Sequence, residues 1–268
     1  MITAGVDVGS LSTNVVIWGE EGMIATHTIR TGFDSSETSW RVMAETLEMA
    51  KGNLKLQDID CIVATGYGRF VVPFSHYIVN ELSCHLRGNS WFFPEVHTVL
   101  DMGGQDCKVI RCDARGNMVM FALNDKCAAG TGRYLERTSR TLGVTLEEFG
   151  PLSLQRVNGA ATISNVCAVF AQQDITRLIQ QGVHRNDILA GACEAIVKRI
   201  YPLFQQVGGI EEAFVISGGV AKNIGVVKSL ENRFGIKAHI APDPQIVGAL
   251  GAAILAREKK IQKEESNA

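Results

Sequence analysis

The stretch Val6-Asp7-Val8-Gly9-Ser10 is echoed 94 positions later by Leu100-Asp101-Met102-Gly103-Gly104. In each copy an apolar run ends in Asp-x-Gly, and a β-branched run resumes soon after, at Val15-Val16-Ile17 and at Val109-Ile110. A strand that delivers an aspartate and then turns on glycine sets a carboxylate beside unobstructed backbone N–H groups. That pairing suits a metal-bound phosphate: the amides take the oxygens, and the carboxylate holds Mg²⁺ or its waters. Two such copies facing each other would form a clamp. The echo therefore predicts a two-lobed nucleotide-binding protein of the α/β class.

Length and composition bound the rest. The chain has 268 residues, enough for two medium lobes with real cores. It is 46% hydrophobic and 20% charged, the balance of a soluble globular protein. A formal net charge of −2 argues against nucleic acid or an anionic membrane surface as a partner. No apolar run reaches bilayer length, and Met1-Ile2-Thr3 leads into a strand-like run without a basic leader, so the expected compartment is the cytoplasm. Seven cysteines, odd in number and irregular in spacing, do not form a disulfide framework. Each is then a buried thiol by default, unless a few bind metal.

Periodicity predicts strands at 2–7, 14–18 and 23–29, a helix over 36–51 on an apolar face of Trp40, Met43, Ala44, Leu47 and Ala50, a strand at 61–64 and a helix near 78–86. The second part begins the same way, with strands at 96–101, 107–111 and 117–123. It continues with helices at 132–142, 168–181 and 187–207, a strand at 213–217, a helix at 223–234, a strand at 237–240 and a helix at 247–260. The charged tail 257–268 reads as a solvated, fraying end. Alternation of strands and helices predicts a mainly parallel core in each lobe. The lobes are cut at 1–97, with 246–268 packing back on it, and 98–245.

There is no G-x-x-x-x-G-K-[ST], which excludes a P-loop protein. The first Asp-x-Gly turn offers Gly9 and the hydroxyls of Ser10, Ser12 and Thr13. The second offers Gly103, Gly104, Gln105 and Asp106. A third glycine turn, Ser217-Gly218-Gly219, follows a strand and opens a helix at Asn223, where a flat base or ribose could approach the backbone closely. In this order the three turns resemble the phosphate-1, phosphate-2 and adenosine motifs of the actin, Hsp70 and sugar-kinase superfamily. That resemblance implies a two-lobed ATPase fold closing over ATP or ADP and Mg²⁺, with Asp7 and Asp101 near the metal and Gln105 or Asp106 positioning the attacking water. It also implies that Asn14, Gly130, Gly132 and Gln245 line the nucleotide site with the turn residues.

Cys127, in Asn124-Asp125-Lys126-Cys127, and Cys167, in Ser164-Asn165-Val166-Cys167, each precede a predicted helix. Helix starts favour thiolate over thiol and attract anionic groups. Two thiolates cannot complete the four-cysteine shell of an iron–sulfur cluster, but a two-fold dimer can. The strings NDKCAAGTGRYLE, DMGGQDCKVI, ATGYGR, NELSCH and SGGVAKN resemble the activator (component A) of 2-hydroxyacyl-CoA dehydratases, within the wider family of BadF/BadG/BcrA/BcrD-type ATPases that includes subunits of benzoyl-CoA reductase. The resemblance implies a homodimer holding one [4Fe-4S] cluster on Cys127 and Cys167 of each protomer. Reduced ferredoxin or flavodoxin would charge it. ATP hydrolysis would drive the electron to an iron–sulfur dehydratase, to a benzoyl-CoA-reductase-type enzyme or to a double-cubane-cluster protein.

Two departures from that pattern stand out. Relatives commonly carry Lys at the position of Asn14, and their Phe-Ala-Glu-Ser-Glu after the second cysteine is here Phe170-Ala171-Gln172-Gln173-Asp174. An amino-sugar kinase of the same superfamily, with Asp106 as base, is the competing reading, and an ATP-dependent scaffold with inert thiols is the third. The six histidines lack ligand spacing, and the other five cysteines read as structural.

Overall fold

A computed structural model describes residues 1–50, 52–124 and 131–267. The chain divides into two compact units, Met1–Glu95 with Ala241–Ala268, and Val96–Ile240. In the first, β1 (Thr3–Val8), β2 (Ser12–Gly19) and β3 (Gly22–Arg30) form an antiparallel meander. β4 (Cys61–Thr65) and β5 (Tyr77–Ile78) then add in parallel beyond β1, for the order β3-β2-β1-β4-β5. The second unit repeats the plan with β6 (Thr98–Met102), β7 (Cys107–Cys112), β8 (Met118–Asn124), β9 (Phe214–Ser217) and β10 (His239–Ile240), ordered β10-β9-β6-β7-β8. Both sheets are mixed rather than mainly parallel. The opening strands of each unit are joined by short turns, which only antiparallel neighbours accept.

The repeat extends to register. Asp7 faces Asn14 across β1/β2, and Asp101 faces Lys108 across β6/β7. On the other side Asp7 faces Thr65 and Asp101 faces Ser217. The two aspartates thus end equivalent central strands.

In the first unit, α1 (Ser35–Met49) is capped by Asp34, whose Oδ1 accepts N–H bonds from Ser36 and Glu37 at 2.8 and 3.0 Å. Its buried residues are Thr38, Ser39, Val42, Met43 and Thr46; of the expected apolar face, Met43 and Ala50 are buried and Leu47 packs partly against the core, while Trp40 and Ala44 are exposed. The three hydroxyls can go inside because each donates to a carbonyl of its own helix or cap: Thr38 to Asp34, Ser39 to Ser36 and Thr46 to Val42. Trp40 stays half exposed, with its ring 4.5 Å from that of Phe74. α2 (Glu81–Phe92) and α8 (Val247–Asn267) pack together, and α8 also crosses β1 and β4. The crossing is backbone-close. A Cβ on Gly5 would overlap the Ala249 carbonyl, and one on Gly251 would overlap that of Cys84. α8 continues to Asn267, where a fraying tail is expected from composition; the ion pair Lys260–Glu264 at 3.5 Å supports that stretch at helical spacing.

The second unit carries α3 (Gly132–Leu142), α4 (Leu146–Leu154), α5 (Ala168–Gln180), α6 (Arg185–Gln206) and α7 (Ile224–Phe234). α6 supplies the centre of the core, where Ile188, Leu189, Ile196 and Phe204 meet Leu100, Val109 and Phe214. α4 is absent from the sequence reading because Gly150-Pro151 interrupts its pattern. A reciprocal cap starts it, with Thr145 N–H donating to Glu148 and Glu148 N–H to Thr145 Oγ1, and the fully buried Phe149 anchors it. Among the described residues, no helix is long and apolar enough to cross a membrane.

Candidate functional site

The first Asp-x-Gly turn closes through Gly9 N–H donating to Ser12 O at 3.0 Å. Thr31 braces it: its hydroxyl donates to Gly9 O at 2.8 Å and meets the Thr13 hydroxyl at 2.9 Å. Thr13 is fully buried by this bracing, while Ser10 and Ser12 remain partly open. Gln245, just before α8, donates from Nε2 to Ser12 Oγ at 3.1 Å. Asp7 is buried among glycines. A Cβ on Gly66 would strike Asp7 Oδ1, and one on Gly248 would strike Oδ2. Gly248 lies in the first turn of α8, so the positive end of that helix is directed at the carboxylate.

The second turn closes in the same way, Gly103 N–H donating to Asp106 O at 2.9 Å. Gly218 stands over it as Gly66 stands over the first, both at φ +84°. At Gly218 the accompanying ψ of 170° is accessible only to glycine, and a Cβ would strike the Met102 carbonyl. Asp101 Oδ1 accepts the Ser217 hydroxyl at 3.2 Å. Lys108, itself 3% exposed, reaches Asp101 Oδ2 at 3.4 Å and Asp106 Oδ2 at 2.8 Å. The cluster therefore holds two carboxylates and one ammonium in a shielded place. Asp106 is its more open member, at 26%. In the first unit, Asn14 occupies the place of Lys108, buried, with its Oδ1 accepting the Thr28 hydroxyl at 2.8 Å.

The start of α3 is tied to this turn. Gly132 N–H donates to Gly103 O at 3.0 Å and Arg133 N–H to Gly104 O at 2.9 Å. Asn223 caps α7, its Oδ1 accepting from Gly225 and Val226 at 3.0 and 3.1 Å, and its Nδ2 is buried without a partner. The asparagine oxygen is thus engaged by its own helix, and Gly218 and Gly219 form the turn between β9 and α7. Gly66, Lys108 and Gly248 were not singled out from sequence. Lys108 was findable, since the spacing of the echo carries Asn14 onto it.

Cys127 and Gly130 lie outside the described residues. Cys167 is the cap of α5, and its sulfur accepts the Val169 N–H at 3.3 Å. The Phe170 and Val169 amides pull its thiol below the ordinary value. The other described cysteines behave oppositely. Burial pushes Cys84 and Cys193 up to about 12 and Cys112 to about 11, and raises Cys61 and Cys107. Those thiols stay protonated and inert. Gln172 replaces a carboxylate of the pattern for a visible reason. It is buried, its Nε2 donates to Thr138 Oγ1 at 3.1 Å, and its Oε1 accepts the Thr141 hydroxyl at 3.2 Å, bridging α5 to α3. A carboxylate there would bury a charge, and the Thr138 hydroxyl would have to turn from accepting to donating.

The activator of lactoyl-CoA dehydratase from Anaerotignum propionicum is 40% identical over 264 residues, covering 98% of this chain and 100% of that protein. The solved activator of the 2-hydroxyisocaproyl-CoA dehydratase from Clostridium difficile with bound ADPNP is 34% identical, covers 99% of this chain and 98% of that one, and superposes with a TM-score of 0.93. A ROK family glucokinase from Streptomyces griseus in complex with glucose and AMPPNP shares the fold alone, at 14% identity, coverage of 96% and 100%, and a TM-score of 0.58. The fold is the two-lobed α/β fold of actin-like ATPases and sugar kinases. The model of the BadF/BadG/BcrA/BcrD ATPase family matches residues 4–256, and the chain belongs to that family.

Proposed function

We propose that the protein is an ATP-dependent electron-transfer activator: a cytoplasmic homodimer that couples ATP hydrolysis to one-electron reduction of an iron–sulfur dehydratase. The observation that carries this reading is Cys167. Among the described cysteines it alone is accessible and has its thiol pulled down, and it sits on a helix start in a chain of an ATPase family whose relatives are named as dehydratase activators. A thiolate so prepared fits an iron ligand. Two cysteines per chain, Cys127 and Cys167, would supply four sulfurs in a two-fold dimer. The [4Fe-4S] cluster, when bound, supplies low-potential one-electron storage.

The two Asp-x-Gly turns fit Mg²⁺-nucleotide. Asp7 and Asp101 are proposed for the metal or its waters, and Gln105 or Asp106 for orienting the attacking water. Gly9, Ser10, Ser12, Gly103 and Gly104 are proposed for phosphate oxygens, and Gly218, Gly219 and Gln245 for the rest of the nucleotide. Thr13, Asn14, Gly132 and Asn223 act by holding these turns in shape, which their bonding partners favour. The competing kinase reading needs Asp106 as a base, yet Lys108 at 2.8 Å already engages that carboxylate in an ion pair.

Anaerobic purification tests the proposal. A brown dimer with about four irons, whose electron-paramagnetic signal changes on adding ATP, is expected. Replacing Asp101 by Ala should abolish hydrolysis while the iron content stays. A colourless, iron-free protein that phosphorylates a sugar would overturn the reading.

A further inference from the structure

We propose that the outer face of α3, beside Cys167, is a docking surface for the acidic protein that delivers electrons to this activator; the inference rests on the electron-transfer reading above. Arg133, Arg137 and Arg140 recur three and four residues apart and so share one helix face, and all three are exposed. With Tyr134, Glu136 and Ala168 they line an open hollow of about 420 Å³. Ala168 is the first residue of α5 and follows Cys167 directly, so the hollow adjoins the proposed iron ligand.

The arginines are not explained by the fold. Arg133 meets Glu136 at 3.4 Å, but no carboxylate of the described residues pairs with Arg137 or Arg140. Like charges at this spacing cost helix stability. On a chain of net charge −2, three guanidinium groups against one carboxylate form a local field of the opposite sign. Arginine forks match carboxylates two bonds at a time, so the complementary surface is rich in Asp and Glu. On the other side of Cys167, the apolar Val166, Val169 and Phe170 lie beside the shared axis of the dimer proposed above, where the second copy is their natural cover. The arginine face is then the polar rim left open next to that contact, and a charged rim suits a transient protein partner.

An electron carrier is the partner this surface suits. It must bring its redox centre near Cys167, hand over one electron and leave, so fast, weak and salt-sensitive association is the appropriate kind. The carrier is oxidised by one electron and the activator's iron–sulfur site is reduced by one; no bond forms or breaks.

The test uses the intact anaerobic dimer and an oxidised acidic flavodoxin as probe, with binding measured by titration calorimetry at low and high salt. The expected result is a Kd that rises by about tenfold with salt, and a charge-reversed variant, Arg137→Glu with Arg140→Glu, that binds about tenfold more weakly at low salt with little remaining salt dependence. Reduction of the variant by dithionite, which needs no docking, should proceed at the unaltered rate, as should ATP hydrolysis. A variant that binds flavodoxin like the parent overturns the proposal, as does one that loses only electron delivery to the dehydratase. A dimer without iron, which dithionite cannot reduce, identifies failure of the electron-transfer reading instead.

Discussion

The two units build the same turn and charge it differently. β1 and β6 each end in Asp-x-Gly, each turn is closed by the glycine N–H, and each is overlaid by a glycine at φ +84° from the neighbouring parallel strand. Across the antiparallel pair, however, Asp7 stands in register with the neutral Asn14, whereas Asp101 meets the ammonium of Lys108. Backbone geometry is what the repeat preserves. The electrostatics are set separately, one side chain per turn. The first turn relies on glycine surfaces and the α8 helix end around its carboxylate, and the second adds a buried cation shared with Asp106.

The largest test replaces both partners alike. Lys108→Met strands two carboxylates in a shielded place and should cost about 3–5 kcal/mol in denaturant unfolding. Asn14→Met removes one neutral hydrogen bond and should cost about 1 kcal/mol. Equal losses would show that the cation does not distinguish the turns. Next in size, Gly218→Ala forces a side chain into a conformation reserved for glycine and should cost about 1–3 kcal/mol and weaken ATP binding. Gly66→Ala should parallel it, and a harmless Gly66→Ala would mean the two overlying glycines are not equivalent.

A smaller effect is expected from Asn14→Lys, which gives the first turn the cation of the second. ATP affinity, read by equilibrium binding, should tighten a few-fold, about 1 kcal/mol for one charge-assisted bond; an unchanged Kd would separate Asn14 from the phosphate site. The smallest is a pH shift. In the iron-free protein, alkylation of Cys167 followed by peptide mass spectrometry should have its midpoint below that of an ordinary thiol, while Cys84, Cys107 and Cys193 stay unmodified. The cap's preference for thiolate is present above the ordinary thiol pKa and is lost as pH falls through the lowered one. A midpoint at the ordinary value would remove the cap from the account.

What was legible in the sequence is what repeats or alternates. The 94-residue echo gives the paired turns, and β-branched runs give nine of the ten described strands within a residue or two; the two-residue β5 was missed, and the helix expected near 78–86 begins only at Glu81 and runs on to Phe92. What was hidden depends on partners distant in sequence or on polar groups satisfied locally. The α1 face was read only in part: Met43, Leu47 and Ala50 do face the core, but Thr38, Ser39 and Thr46 bury hydroxyls bonded to their own helix or cap, a choice invisible to an apolar count. α4 was missed because Gly150-Pro151 outweighs its cap in any local reading. Gly66 and Gly248 matter only because β4 and α8 bring their backbones against Asp7, and no spacing rule reports that.

The two hydrogen bonds that hang α3 from Gly103 and Gly104 have a mechanical result. A peptide unit is a rigid plate, so the carbonyl of Gly103 and the N–H of Gly104 pivot together. One edge of the plate grips the helix through Gly132, and the other is the amide that an oxyanion in the turn would draw upon. Tilting the plate by a few degrees levers the first turn of α3 directly, with no side chain in between.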